Sequence, residues 1–367
     1  MARLPGLAAS LFLLFLTPAV AETLRLATFE VEMTRRGPGL LLRDISSGKD
    51  SQTEAVAEVI ATVRPDVLLL TGFDYDLDLV ALRSLRDRIA ARGVDYPHLF
   101  ALRPNSGWQT GLDLDGDGRI GGPGDARGWG RFAGAGGMAI LSRHPIDHES
   151  VLDLSSLRWA DLPGALIDEA DLPREALGVL PVSSTGHWVV PVVLPSGTRL
   201  SLLAFRATPP VFDGPEDRNA RRNRDEIALW RHLLEGRLSH RAPKPPLVIL
   251  GNFNLDPVDG EGRRDALNAL LSNPTLVDPA PVSTGAARAA RMQGGANDLH
   301  HGNPALDTVD WPDDTGPGNL RVDYVLPSSD LTIRDAGVFW PDPEQPGHRA
   351  AQDASRHRLV WVDVDMP

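Results

Sequence analysis

The chain has 367 residues, 42% hydrophobic and 23% charged, an ordinary globular composition with length enough for a large core. Its formal net charge of −12 argues against nonspecific attraction to duplex nucleic acid, which needs a basic face, and no strong nucleic-acid signature is present. There is no cysteine, so disulfides and paired-cysteine metal sites are excluded and packing alone must hold the fold.

Arg3, the apolar run at residues 7–16 and Ala19-Val20-Ala21 together fit a signal peptide over residues 1–21, with a mature start at Glu22. The run is shorter than the ~20 residues a membrane span needs, and no later segment is long and apolar enough. The expected location is therefore secreted or periplasmic, with no membrane span after cleavage. Residues 22–367 read as one domain, since large two-sheet proteins reach this length undivided.

Residues 24–29 alternate and predict a strand. Residues 53–63 have helical spacing, ended by Pro65, and residues 66–70 form a short apolar strand. Residues 77–91 predict an amphipathic helix, which Asp74 is placed to cap. A Gly- and Asp-rich loop covers residues 105–132, and a strand resumes at 137–142. Residues 152–184 lack periodicity. Residues 187–194 and 199–205 flank Pro195-Ser196-Gly197 and predict a hairpin. A helix at 219–237, a buried strand at 246–251 and a helix at 262–271 follow. Residues 279–317 read mostly as loop, and 322–326, 332–338 and 358–365 as closing strands. Strands outnumber helices, and no repeat or linker divides the chain. The pattern is that of a mixed α/β sandwich, two packed sheets with helices outside.

Six segments, in order and spacing, resemble the endonuclease/exonuclease/phosphatase superfamily. They are residues 24–32, Pro65-Asp66-Val67-Leu68-Leu69-Leu70, residues 137–145, Gly251-Asn252-Phe253-Asn254, Arg321-Val322-Asp323-Tyr324-Val325-Leu326 and Ser355-Arg356-His357-Arg358. Residues 208–219, then Arg221-Arg222-Asn223, resemble a bacterial secreted subgroup, and residues 105–132 resemble its long insert. The resemblance implies a four-layer αββα sandwich of two mixed β-sheets flanked by helices. It also implies phosphoester hydrolysis assisted by a divalent metal, usually magnesium, which needs oxygen ligands.

The site positions implied by the resemblance carry unusual residues. The family's first-strand Asn is Glu30, and its metal-binding Glu is Gly72, within Thr71-Gly72-Phe73-Asp74-Tyr75-Asp76. Its active-site His is Arg206, its water-positioning Asp is Asn252, and the Asp of its closing Ser-Asp-His is Arg356. Asn254, Asp323 and His357 are retained. Where the family pattern gathers carboxylates, this chain sets Glu30 and Asp323 against Arg206 and Arg356, and a site without net negative charge should repel a dication. Two expectations follow. Arg356 pairs with Glu30, or Arg206, Arg356 and His357 form a pocket for an anionic or phosphoester ligand, since guanidinium suits such groups.

Asp113-Leu114-Asp115-Gly116-Asp117-Gly118-Arg119 matches the start of a calcium loop. Gly124 stands where the usual terminal Glu would fall, with Asp125 after it; the alternative is a loop held by side chain-to-backbone hydrogen bonds. Arg218, Arg221, Arg222, Arg224 and Arg231 either guide an anion or form a solvated face paired with Glu216, Asp217, Asp225 and Glu226. His187 lines the cleft or is structural. Three functions stay open: a phosphoesterase-like protein with weakened or lost hydrolysis that binds an anionic ligand, an active hydrolase in which Glu30 binds the metal, and an interaction scaffold acting through the insert.

Overall fold

The alternation at residues 24–29 belongs to a longer strand. In the computed structural model, which describes residues 23–366, β1 (Thr23–Met33) leads to α1 (Leu40–Ser47), α2 (Ser51–Val63), β2 (Val67–Phe73), α3 (Val80–Ala90) and β3 (His98–Phe100). The signal-peptide reading falls outside the described residues. After the insert come β4 (Gly137–Ser142), β5 (Leu152–Asp153), α4 (Ala176–Val179) and the hairpin of β6 (Gly186–Val193) and β7 (Arg199–Arg206). Next are α5 (Arg218–Leu234), β8 (Leu247–Asn252), α6 (Asp265–Leu271) and α7 (Thr284–Gln293). The chain closes through β9 (Val309–Asp310), β10 (Asn319–Leu320), β11 (Asp323–Pro327), β12 (Thr332–Val338), α8 (His348–Ala354) and β13 (Val360–Asp365).

One large sheet has the order β12-β13-β1-β2-β4-β3 and the other β11-β8-β7-β6-β5, while β9 and β10 pair in a separate two-stranded ladder. Both large sheets are mixed: β1–β2 and β7–β8 run parallel, while β1–β13 and β8–β11 run antiparallel. Three apolar layers separate the elements. Leu26, Leu69, Leu202, Leu250 and Val362 pack between the sheets. Phe29, Val56, Ile60 and Leu85 join the first sheet to α2 and α3, and Phe205, Ile227, Trp230 and Leu267 join the second to α5 and α6. The result is the expected four-layer sandwich. Each fully buried aliphatic side chain contributes about 1.5–3 kcal/mol, so these layers are the main source of stability in a chain without cross-links.

The period of two along each strand delivers the site. On β1, Leu24 and Leu26 face the inter-sheet layer, while Ala27, Phe29 and Val31 face the helices, so Thr28 and Glu30 fall on the inter-sheet side. Leu200, Leu202 and Ala204 of β7 put Arg206 on that same side. Val248 and Leu250 of β8 do so for Asn252, and Val325 of β11 does so for Asp323. Each apolar alternation thus ends in a polar residue at one edge of the same layer.

Several element boundaries differ from expectation. The helix expected from residue 77 begins at Val80, and its cap is Asp76, whose carboxylate accepts from the Val80 and Ala81 amides at 2.7 and 2.9 Å. Asp74 does not cap it; it accepts from the Arg35 and Gly136 amides at 2.8 and 2.9 Å and ties the β2 exit to the β4 entrance. α7 lies inside the stretch read as loop, started by the Ser283 hydroxyl accepting from the Gly285 amide at 3.1 Å. No described helix is long and apolar enough to cross a membrane.

Candidate functional site

Glu30 is 3% exposed and forms a two-pronged ion pair. Arg206 Nε donates to Oε2 at 2.7 Å and Nη2 donates to Oε1 at 3.1 Å. Burial works against the Arg206 charge, but Glu30, with Glu32 and Glu226 nearby, outweighs it and raises the guanidinium pKa. Arg206 Nη1 makes no hydrogen bond among the described residues. Gly72 lies on β2 beside Glu30, with φ 69°. A Cβ added there would sit 2.0 Å from Glu30 Oε1. The carboxylate of residue 30 therefore fills the space where a side chain on residue 72 would begin.

Arg356 does not pair with Glu30 as expected. Its backbone amide donates to Glu32 Oε2 at 2.8 Å and its Nε to Glu32 Oε1 at 2.9 Å, with Nη2 also bonded to Oε1. The β1–β2 pairing carries a register shift between Glu30 and Met33. Glu32 takes a left-handed φ of 49° there. Ser355 completes the contact, its hydroxyl donating to the Glu30 carbonyl at 2.8 Å and lying 3.0 Å from Glu32 Oε2. Burial pushes the Glu32 carboxyl up, but the Arg356 hydrogen bonds and the nearby His357 and Arg356 charges hold it at about 2.

The retained residues form a second cluster. His357 Nδ1 is 2.8 Å from Asp323 Oδ2, which also accepts from the Thr308 hydroxyl at 3.0 Å. Asn252 Nδ2 donates to Asp323 Oδ1 at 2.8 Å. The imidazole packs edge-on to Trp311, with centroids 5.6 Å apart. Burial disfavours its charge, yet Asp323, with Glu30 and Glu32 beyond it, raises its pKa above the ordinary value. Asn254, at φ 52°, spends its amide donor on the Ala207 carbonyl at 2.7 Å.

These contacts decide whether the site suits a divalent metal. Both oxygens of Glu30 are bonded to Arg206. Both of Glu32 are bonded to Arg356 or Ser355. Both of Asp323 are bonded to Asn252, Thr308 or His357. A hard cation needs carboxylate oxygens it can share; each of these serves an internal donor, and Glu30 and Glu32 are covered by guanidiniums whose charge repels a dication. Gly72 supplies no ligand atom. The residues present do not fit magnesium.

The two guanidiniums set aside for an anion are likewise held by glutamates. Glu32 was missed by sequence reasoning, and with it the charge count: Glu30, Glu32 and Asp323 face Arg206, Arg356 and His357. The available signal was the i, i+2 spacing of two glutamates on one strand. Asn223 was also missed. Its amide donates to the Thr208 and Phe253 carbonyls at 2.7 and 2.8 Å and ties α5 to the segments after β7 and β8.

The arginines of α5 divide. Arg222 is buried and donates to the Val182 and Pro181 carbonyls at 3.0 and 2.9 Å. Desolvation lowers its pKa to about 10. Arg218 donates to the Leu114 and Ala170 carbonyls at 2.8 and 3.2 Å. Arg221 pairs with Glu169, Arg224 with Asp225 and Asp265, and Arg231 with Glu235. His187 is structural. It is wholly buried between the Ser183 hydroxyl at 2.9 Å and the Glu226 carbonyl at 3.0 Å, and desolvation lowers its pKa to about 3.

In the insert, Asp113, Asp115 and Asp117 each bring a carboxylate oxygen within 4.8 Å of the others. The same carboxylates accept backbone hydrogen bonds: Asp113 from Gly116 and Gly118 at 2.8 and 3.0 Å, and Asp117 from Arg119 at 2.8 Å. Asp125 does not join them. Its oxygens accept from the Leu114, Gly121 and Gly122 amides at 2.8, 2.9 and 2.9 Å.

Residues 39–357 match the profile of the endonuclease/exonuclease/phosphatase family. Among solved structures, the chain is similar to an endonuclease/exonuclease/phosphatase from Beutenbergia cavernae, with TM-score 0.55 and 18% identity over 94% of this chain and 72% of that one. It is also similar to a beta toxin from Staphylococcus aureus, with TM-score 0.51 and 13% identity over 92% and 99%. A family protein from Bacteroides thetaiotaomicron gives TM-score 0.50 and 11% identity over 95% and 99%. At such identities the likeness is one of fold. No functionally curated protein matches the chain.

Proposed function

Because the chain belongs to the endonuclease/exonuclease/phosphatase family, whose members hydrolyse phosphoesters, we propose that it is an exported, non-hydrolysing member of a bacterial secreted subgroup that uses its cleft to bind a small ligand. The observation that carries this reading is the Glu30–Arg206 pair. It puts a fixed guanidinium on the carboxylate that would otherwise be open to a metal, beside a glycine that offers none. An internal cation cannot do what a bound dication does in this family, which is to give open coordination positions to a phosphoryl oxygen and an attacking water. Assay of the mature protein on bis(4-nitrophenyl) phosphate and 4-nitrophenyl phosphate, with magnesium, manganese and calcium, tests it. No turnover above buffer is expected. Turnover abolished by His357→Ala would overturn the proposal in favour of a rearranged hydrolase.

The Asp113, Asp115 and Asp117 cluster favours a second, separate reading: calcium orders the insert and takes no part in chemistry. Asp125 lies outside the cluster, so such an ion would be held by the three aspartates, loop carbonyls and water.

A further inference from the structure

A cavity of about 830 Å³ lies between the insert, the segment after β7 and the start of α5, with Arg206 in its wall. That volume falls within the range of small-molecule sites. The cavity extends away from the centre described above, and its wall chemistry differs from that of a phosphoester site.

Two aromatic side chains are left out at its margin. Trp129 is 65% exposed and Phe212 is 90% exposed. Phe212 sits at φ 72°, a backbone region unfavourable for a bulky side chain. The insert's other tryptophan, Trp108, has Arg103 and Arg127 each 4.1 Å from its ring, whereas Trp129 has the single Arg131 guanidinium at 5.8 Å. Two exposed aromatics at the margin of one cavity offer ring faces on which something flat can stack.

The charges restrict what that is. Arg206 is balanced by Glu30. Arg218 and Arg222 are turned onto backbone carbonyls. The carboxylates of Asp115, Asp213 and Glu216 also line the wall. Within the wall a polyanion would meet those carboxylates and arginines already held by Glu30 or by carbonyls, while Arg131, 5.8 Å from the Trp129 ring, adds one positive charge at the margin. The free donor is Arg206 Nη1, which suits one hydrogen-bond acceptor.

We propose that this cavity binds a small planar aromatic molecule, neutral or singly charged, with its rings between Trp129 and Phe212 and one acceptor group directed at Arg206. This names the ligand class for the binding role proposed above. The two are tested apart, because hydrolysis is read with nitrophenyl phosphates and binding with aromatic probes.

The probes are 2-naphthamide, 2-naphthoate and pyrophosphate, titrated into the mature protein by calorimetry and followed by protein-observed NMR. One site for a naphthyl probe is expected, weakened at least tenfold in Trp129→Ala/Phe212→Ala and preserved in Trp129→Phe. Pyrophosphate is expected to give no saturable response in this cavity. Because both aromatics are exposed, the double variant should fold, and its thermal midpoint checks that. Absence of binding by both naphthyl probes, unchanged affinity in the double variant, or tighter binding of pyrophosphate at the cavity would each overturn the inference while leaving the loss of hydrolysis standing. Turnover of the nitrophenyl esters would instead remove the non-hydrolytic reading and leave the cavity to be judged by the probes.

Discussion

Glu30 Oε1 lies 2.0 Å from the point where a Cβ on Gly72 would stand, so the two residues share one space. Gly72 also holds φ 69°, where an L side chain is strained. Gly72→Ala is therefore expected to destabilise the protein strongly, because the buried Glu30 carboxylate is pinned by Arg206 and cannot swing aside without breaking that pair. In a Glu30→Ala background the same alanine should cost less, leaving mainly the backbone strain, roughly 1 kcal/mol or more. Urea denaturation of the two singles and the double measures this. Strict additivity would show that the two side chains do not compete.

Removing one partner of the Glu30–Arg206 pair leaves the other charge stranded. For a buried pair that loss is about 3–5 kcal/mol. Glu30 is nearly inaccessible while the Arg206 side chain is 25% exposed, so Arg206→Ala is expected to be the more damaging change. The double Glu30→Gln/Arg206→Gln variant should cost less than the two singles together. Equal losses in singles and sum would mean that the pair does not act as a unit.

The Glu32–Arg356 contact makes a pH-dependent contribution. The folded pKa of Glu32, about 2, lies below the ordinary value of 4.5. A depressed carboxylate binds its proton less readily in the folded state, so its contribution is fully present above about pH 4.5 and lost as the pH falls through about 2. Glu32→Gln should flatten stability in that window and lower it above. Urea midpoints across the acid range check this; an unaltered slope in the variant would assign the acid loss to other carboxylates.

Calcium is expected to raise the thermal midpoint, with one site saturating below about 1 mM, in the range of extracellular modules. Magnesium should do far less, since it demands near-octahedral geometry. Asp115→Asn/Asp117→Asn should abolish the effect. Calorimetry without calcium heat in the wild type would identify the loop as held by its own backbone contacts alone.

The layered architecture was legible because apolar periodicity of two and 3.6 is written directly in strands such as Leu200, Leu202, Ala204 and in helices such as α2. Gly72 and Arg206 were legible only as positions that differ from a family pattern. Pairing was not. Glu30 and Glu32 lie on one face of β1, alternating with helix-facing Phe29, Val31 and Met33, so periodicity alone does not say which of them Arg356 meets. α7 escaped because proline- and glycine-rich flanks mask a ten-residue helix. The burial of Arg222 could not be read because its partners are main-chain carbonyls, which leave no mark on composition.

The shared space between residues 30 and 72 also makes the two positions epistatic. A glutamate at 30 and a side chain at 72 exclude each other, so the fitness of a change at either one depends on what the other holds.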